Sequence, residues 1–397
     1  MSKINVQELT KIFGPSPEKG MEYLKQGKTK DEILAESGMT VGVNQASFSV
    51  EEGEIFVIMG LSGSGKSTLI RLLNRLIDPT FGQVWIDNED ITKAANQQLI
   101  ETRRQKLGMV FQRFGLFPFR TVLANVAYGL EIQGIEKSER EEKAAKAIED
   151  VGLKGYEKSY PEQLSGGMQQ RVGLARALAN ETDILLMDEA FSALDPLIRQ
   201  EMQDELLQLQ NKWNKTVVFI THDLDEALKL GDRIAIMKDG AIVQVGTAEQ
   251  ILESPANDYV SRFVEDVDRS KVLTASHIMK NPSVLASEKD GPRVAVRKME
   301  EAGVSSIFVV DRERHLKGLL TIDDAIGAHK QGLPMESVLI SDFHTTTPDT
   351  PIQDLIANAV DTKYPITVLQ DGKLTGIVSR VSILSGLVLG KEEEVTS

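Results

Sequence analysis

The 397-residue sequence contains no cysteine. That absence excludes disulfides, cysteine-ligated zinc, iron–sulfur clusters and thiol catalysis together, and it fits a reducing compartment. Positive charge is also scarce: 45 Lys and Arg stand against 59 Asp and Glu, for a formal net charge of −14. Nucleic-acid binding rests on neutralising phosphates with Lys and Arg, so no nucleic-acid polymer is expected as a partner. Long apolar runs are missing as well. No window approaches the roughly 18 uninterrupted apolar residues that span a bilayer, and the opening stretch MSKINVQELTKIFG lacks the apolar core of a signal peptide. If such a protein works at a membrane, another chain must supply the membrane part.

What is present is globular material. Hydrophobic residues make up 41% and charged residues 26%, which argues against wholesale disorder. The length calls for two or three domains. Residues 41–58 run or alternate apolar (Val41, Val43, Phe48, Val50, Ile55, Val57, Ile58) and predict strands. They lead through a glycine-rich turn into a predicted helix, Ser67–Arg75. Ile184–Met187 and the β-branched run Thr216–Ile220 predict two further buried strands. Strands alternating with helices predict an α/β fold around a largely parallel sheet. From about 113 to 180 the pattern is mostly helical, with charged stretches such as Glu136–Lys146, and predicts an inserted helical subdomain.

The character changes after Val264. The charged stretch EDVDRSK (Glu265–Lys271) reads as a linker, and the segment beyond it repeats internally. Lys317-Gly-Leu-Leu-Thr321 matches Thr375-Gly-Ile-Val-Ser379 at an offset of 58 residues, and Ile307–Val310 aligns with Pro365–Val368. Each repeat predicts a helix, a strand, a turn, a strand and a helix. Units of about 60 residues are marginal alone and are expected to pack as a pair. The expected division is 1–265, a linker at 266–271, repeats at 272–330 and 331–390, and an acidic tail at 391–397.

Gly60, Leu61, Ser62, Gly63, Ser64, Gly65, Lys66 and Ser67 fit the phosphate-loop pattern G-x-x-x-x-G-K-[ST] between a predicted strand and a predicted helix. The glycines let backbone N–H groups wrap phosphate oxygens, and the helix N-terminus adds partial positive charge. Lys66 is placed to reach the β- and γ-phosphates, Ser67 to ligate Mg²⁺, and Thr68 joins the nucleotide-binding set. Asp188-Glu189 follows the apolar strand Ile184–Met187. A carboxylate there can hold Mg²⁺, and the next can polarise an attacking water. Taken alone, such a pair is more often a solvated strand end; beside a phosphate loop the catalytic reading prevails. Leu164-Ser-Gly-Gly-Met168-Gln-Gln170 opens another helix with Ser165, Gly166 and Gly167, an anion-receptive terminus. One triphosphate needs one phosphate loop, so the second element most economically faces another subunit's nucleotide.

With these motifs in place, the chain resembles an ABC-transporter ATPase, whose signature is LSGGQ; Met168 stands where that family usually has Gln. The resemblance covers about residues 3–264 and implies a P-loop NTPase fold with an inserted helical subdomain. It implies ATP and Mg²⁺ as cofactors and ATP hydrolysis as the reaction. Gln112 resembles the Q-loop residue that links Mg²⁺ and water to the transporter contact. Ser192-Ala-Leu-Asp195 resembles the D-loop, His222 the switch histidine, and Phe13 the aromatic that stacks on adenine. Glu189, His222, Lys66 and Gln112 are thereby the catalytic candidates, and Ser67, Gln112 and Asp188 the metal candidates. The implied assembly is a head-to-tail dimer of two copies with an integral-membrane permease. It would sit peripherally on the cytoplasmic face of the cell membrane and work indirectly with a substrate-binding protein.

The repeated segment resembles a tandem CBS pair, an α+β module that often binds adenine nucleotides. Gly318-Leu-Leu-Thr321-Ile-Asp-Asp324 fits that family's pattern, so Thr321 and Asp324 are the regulatory candidates; the second repeat has Ser382 in place of the acidic residue. An ABC ATPase followed by tandem CBS units resembles the glycine betaine/proline betaine importer subunits of osmoprotection, as does the extra segment between Phe13 and Val41. The implied cargo is a quaternary ammonium solute. Regulation divides between two readings. One is ionic-strength sensing, through Lys391-Glu-Glu-Glu394 and basic residues such as Lys271, Lys280, Arg293, Arg297 and Lys298, facing acidic groups or anionic lipid. The other is a nucleotide such as cyclic di-AMP. The rivals are an importer of the same architecture for a polyamine or amino acid, and a soluble ABC ATPase of translation or repair. The second rival usually carries two cassettes or a long coiled-coil insertion, and this chain has neither.

Overall fold

The computed structural model describes residues 2–112, 115–265 and 267–388, and it divides into two compact units, Met1–Asp266 and Val267–Ser397. The acidic tail at 391–397 and the Lys271 side chain lie outside the described residues.

The first unit opens with β1 (Ser2–Phe13), α1 (Pro17–Lys25), α2 (Lys30–Ser37), β2 (Thr40–Glu51), β3 (Ile55–Met59) and α3 (Lys66–Leu73). β4 (Phe81–Ile86), the short β5 (Glu89–Asp90), α4 (Asn96–Gln105) and β6 (Leu107–Val110) follow. Helices come next: α5 (Val122–Val126), α6 (Tyr128–Ile132), α7 (Lys137–Asp150) and α8 (Gly166–Ala179). The chain returns to β7 (Ile184–Asp188), α9 (Pro196–Trp213), β8 (Thr216–Thr221) and α10 (Leu224–Leu230). It then forms the hairpin of β9 (Arg233–Lys238) and β10 (Ala241–Gly246), and ends in α11 (Ala248–Glu253) and α12 (Asp258–Val264).

Two sheets result. The six-stranded sheet runs β10-β9-β3-β8-β7-β6 and is parallel except at the β9–β10 hairpin. Every residue of β3, β7 and β8 is buried, as expected for strands covered on both faces. The strand predicted from Val41 to Val50 is β2, and it belongs to a separate antiparallel sheet, ordered β2-β1-β4-β5, whose alternating burial reflects one covered face. A shared core lies between the sheets: Ile4 and Val6 of β1 meet Phe56 and Ile58 of β3 and Leu69 of α3. Phe48 and Phe56 stack there, ring centroids 5.1 Å apart.

The second unit holds α13 (Ala275–Ile278), β11 (Leu285–Ser287), α14 (Pro292–Ala302), β12 (Ser306–Val310), β13 (Leu316–Thr321) and α15 (Ile322–Gln331). After a 3₁₀ turn at Met335–Val338 come β14 (Thr345–Thr346), α16 (Ile352–Asp361), β15 (Ile366–Gln370), β16 (Lys373–Val378) and α17 (Arg380–Val388). The sheets β11-β12-β13 and β14-β15-β16 share one plan, a parallel pair followed by an antiparallel pair. The repeats interleave. Met335, which opens the second, is buried in the core of the first beside Ala286, Met299 and Ile307. Leu273, Ala275 and Ile278, which open the first, are buried in the core of the second with Ile352 and Val368. Backbone bonds follow the same exchange: Leu319 and Ile340 donate to each other's carbonyls at 2.9 and 2.8 Å, and Lys280 and Ile377 do so at 2.9 Å each.

Candidate active site

The parallel strands deliver their C-terminal ends to one edge, and the predicted residues gather there. Beyond β3 the chain turns through Gly60 at φ +154°, where a Cβ would stand 2.3 Å from the Met237 carbonyl oxygen. At Gly65, φ +104°, a Cβ would meet the Gly42 carbonyl oxygen at 2.2 Å. No side chain fits at either place. The tip of the β9–β10 hairpin braces the loop: Gly240 N–H donates to the Ser64 carbonyl at 2.9 Å, and Asn44 N–H donates to the Gly240 carbonyl at 2.8 Å.

Lys66 is 4% exposed, and its ammonium donates to the carbonyls of Gly60 at 2.8 Å and Leu61 at 3.1 Å. Burial pushes its pKa down, while the charges of Glu189 and Asp188 pull it back. Ser67 Oγ donates to Asp188 Oδ1 at 3.0 Å. Asp188 is 6% exposed; burial pushes its pKa up, opposed by the Ser67 hydrogen bond and by Arg71 at 3.9 Å. Two hard oxygen donors, the Ser67 hydroxyl and the buried Asp188 carboxylate, suit Mg²⁺.

Glu189 has φ +45°, in the left-handed region, and its N–H donates to the Ile220 carbonyl at 3.1 Å. This turn presents its carboxylate to two groups. Gln112 Nε2 donates to Glu189 Oε2 at 3.0 Å, and His222 Nδ1 stands 3.7 Å from the same oxygen. Gln112 also reaches Ser192 Oγ at 3.4 Å. Phe13 and Thr68 flank Gly42: a Cβ there would sit 2.8 Å from Phe13 Cε2 and 3.2 Å from Thr68 Cγ2. The Phe13 ring is 40% exposed, with the Lys11 ammonium 5.1 Å from its centroid.

Ser165, Gly166, Gly167 and Asp195 are placed otherwise. Ser165 caps α8, its Oγ accepting from Met168 N–H at 3.3 Å, and Asp195 caps α9, accepting from Ile198 N–H at 3.1 Å. Among the described residues neither cap hydrogen-bonds Gly60–Ser67; each side chain is spent on its own helix. Ser192, which opens the stretch read in the sequence as the D-loop, reaches the site through Gln112. Gly42, Asn44 and Gly240 support the site without having been singled out in the sequence, and of these three only Gly240 carried a legible signal, the Asp239-Gly240 turn between two apolar runs.

In the second unit Thr321 caps α15: its Oγ1 accepts from Asp324 N–H at 3.2 Å, and its hydroxyl donates to the exposed Asp324 carboxylate. Ser379 and Ser382 repeat the cap, with N–H to Oγ at 3.1 Å and the two hydroxyls 2.9 Å apart, but Ser382 is buried. The carboxylate is therefore offered to solvent in the first repeat alone. No helix among the described residues is long and apolar enough to cross a membrane.

Comparison with known proteins gives the family of both units. A family model described as ABC transporter matches residues 43–192, and one described as CBS domain matches residues 275–330 and 335–389. The chain is 59% identical over 388 residues to the glycine betaine/carnitine transport ATP-binding protein GbuA of Listeria monocytogenes serotype 1/2a (strain 10403S), covering 98% of each chain. It is 54% identical to the glycine betaine transport ATP-binding protein OpuAA of Bacillus subtilis (strain 168), covering 100% of this chain and 94% of that one. To the glycine betaine/proline betaine transport system ATP-binding protein ProV of Escherichia coli (strain K12) it is 49% identical, over 97% of each. Among solved structures, a dimeric bacterial ABC transporter cassette aligns with TM-score 0.53 and 33% identity, over 62% of this chain and 98% of that chain. A dimeric post-hydrolysis cassette bound to ADP and Pi aligns with TM-score 0.52 and 33% identity, over the same shares.

Proposed function

The chain belongs to the ABC-transporter ATP-binding proteins with tandem CBS domains, close to the glycine betaine transport ATPases, and on that premise we propose that it hydrolyses ATP to drive uptake of a quaternary ammonium osmoprotectant such as glycine betaine. The observation that carries the catalytic half is the convergence of Gln112 and His222 on one oxygen of Glu189, beside the Ser67–Asp188 pair. Phosphates bind to the N–H groups of Gly60–Ser67 and to Lys66, with adenine on Phe13. Ser67, Asp188 and Gln112 are the residues that would hold Mg²⁺, and the ion would supply charge neutralisation to the bound triphosphate. Glu189 orients the attacking water and takes its proton, while Gln112 and His222 fix the carboxylate that does so. Positioning and charge stabilisation carry the rate.

The site is completed by a second copy, whose Ser165–Gly167 face the nucleotide. The dimeric cassettes among the similar structures support this, as do the exposed Ser165 and Gly166. A permease holds the pair at the cytoplasmic face of the membrane. Phe119, 92% exposed a few residues past Gln112, suits that contact. A substrate-binding protein or domain would choose the cargo.

Regulation falls to the CBS pair. The exposed Asp324 beside Thr321 favours an adenine nucleotide such as cyclic di-AMP in the first repeat. Ionic-strength sensing is the second reading. Of the basic residues it names, Lys298 is already paired with Asp290 at 2.7 Å and Arg297 with Glu301 at 3.7 Å. The test is reconstitution with the membrane subunits in vesicles. ATP-dependent accumulation of glycine betaine, abolished by Glu189→Gln, is the expected result; accumulation of a polyamine or amino acid instead favours the other importer. Titrating salt and cyclic di-AMP in the same vesicles separates the two regulatory readings.

A further inference from the structure

The connection between β1 and β2 is filled by α1 and α2, which lie outside the motifs Gly60–Ser67 and Asp188-Glu189. The pair is firmly seated. Ile33 of α2 is buried against Ile12, Met39 and Val41, with Met21 and Leu24 of α1 packed on the same cluster. Thr29 caps α2 in a capping box with Glu32, and Gly38 at φ +67° ends it. Lys30, the first residue of this fixed helix, donates from Nζ to the carbonyl oxygen of Gly63, inside the phosphate loop, at 3.0 Å.

Helix stability does not account for that placement, because a cation at a helix N-terminus opposes the helix dipole. Nor does an ion pair: among the described residues Lys30 makes none. The loop is therefore clasped by two ammonium groups, Lys66 on the carbonyls of Gly60 and Leu61 and Lys30 on that of Gly63. Gly63 needs the restraint most. It sits at φ +79°, and no neighbouring atom lies within 4 Å of where a Cβ would stand, so packing does not hold it. A charge-assisted bond to this carbonyl fixes the peptide while adding positive charge to a loop that must hold a polyanion.

We propose that Lys30 is a positioning residue for the nucleotide site: held out by the inserted α1–α2 pair, it keeps Gly63 in the phosphate-receptive conformation and so sets nucleotide affinity. The proposal rests on the reading of Gly60–Ser67 as the phosphate loop. The test measures the Kd for MgATP and MgADP, and steady-state ATPase activity, on the full chain with Lys30→Ala, Lys30→Arg and Lys66→Ala. Lys30→Ala is expected to raise Kd and KM about three- to tenfold with kcat changed less than about twofold, and Lys30→Arg to restore both. A Kd for Lys30→Ala within about 1.5-fold of the parent overturns the proposal. So does a loss of kcat with falling melting temperature that Lys30→Arg does not recover, since that is structural damage alone. Lys66→Ala separates this failure from a broader one: if it too binds nucleotide normally, the phosphate-loop reading itself is wrong.

Discussion

Gln112 and Glu189 meet side chain to side chain, Nε2 to Oε2 at 3.0 Å, although they lie 77 residues apart. The register explains it. Val110 of β6 pairs with Met187 of β7 in parallel, so the two chains leave the sheet at the same edge and level. Glu189→Gln keeps this contact possible, amide to amide, and removes only the base. Turnover is expected to fall by about two to three orders of magnitude while MgATP binding persists. Phosphate release and nucleotide binding measured on one preparation check it; near-normal hydrolysis would rule out Glu189 as the base.

Asp188 carries a burial cost. Burial penalises its charged form, so the folded pKa lies above the ordinary carboxylate value. For a group shifted in that direction, the favourable contribution is present below the unfolded pKa and is lost as pH rises through the folded one. At neutral pH, Asp188→Asn should therefore raise the melting temperature of the nucleotide-free protein, on the order of 2–4 °C. The gain should shrink as pH falls through the raised folded pKa and be gone below about pH 4, where the parent carboxyl is neutral in both states. The same substitution should cancel the extra stabilisation that Mg²⁺ gives in the presence of ATP. Differential scanning across pH, with and without MgATP, reads both; a variant less stable than the parent at neutral pH contradicts a burial penalty at Asp188.

Phe13 depends on the absence of a side chain at Gly42, where a Cβ would press on the ring at 2.8 Å. Gly42→Ala should displace the ring and Phe13→Ala should delete it. Both are expected to weaken ATP binding, the deletion by about tenfold, the order of one lost base–aromatic stack. Affinity for inorganic tripolyphosphate, which has no base, should stay unchanged in Phe13→Ala. Equal losses for ATP and tripolyphosphate would place the ring elsewhere.

Much of the fold and the site is legible in the sequence, for local reasons. β3, β7 and β8 are short apolar runs buried on both faces, so composition alone marks them. The phosphate loop and the Asp188-Glu189 pair are contiguous, and their chemistry is carried by neighbours in sequence. β1 is harder to read: its pairing with β2 is broken by register shifts between Val6 and Leu9 and between Leu9 and Lys11, which blur the alternation a strand needs. Gly42 and Asn44 escape a sequence reading because their contribution is a close approach to residues far away in the chain. The repeat is visible through its 58-residue offset. The exchange of opening segments between the two repeats is not, because each repeat's pattern is the same whichever core it fills.

That exchange makes a prediction opposite to the one sequence position suggests. Met335 belongs by sequence to the second repeat but is 3% exposed in the core of the first, with Met299 and Ile307. Ile278 belongs to the first and packs in the core of the second, with Ile352 and Val368. Met335→Ala leaves a cavity costing about 2–5 kcal/mol, and local opening follows the core that loses packing. Amide exchange in β12 and β13 should therefore accelerate before that in β15 and β16. Ile278→Ala should reverse the order. Hydrogen-exchange mass spectrometry on the full chain resolves these peptides. If each substitution loosens the repeat it is numbered with, the interleaved packing is wrong; if each loosens the other, a change made in one repeat is felt first across the pair.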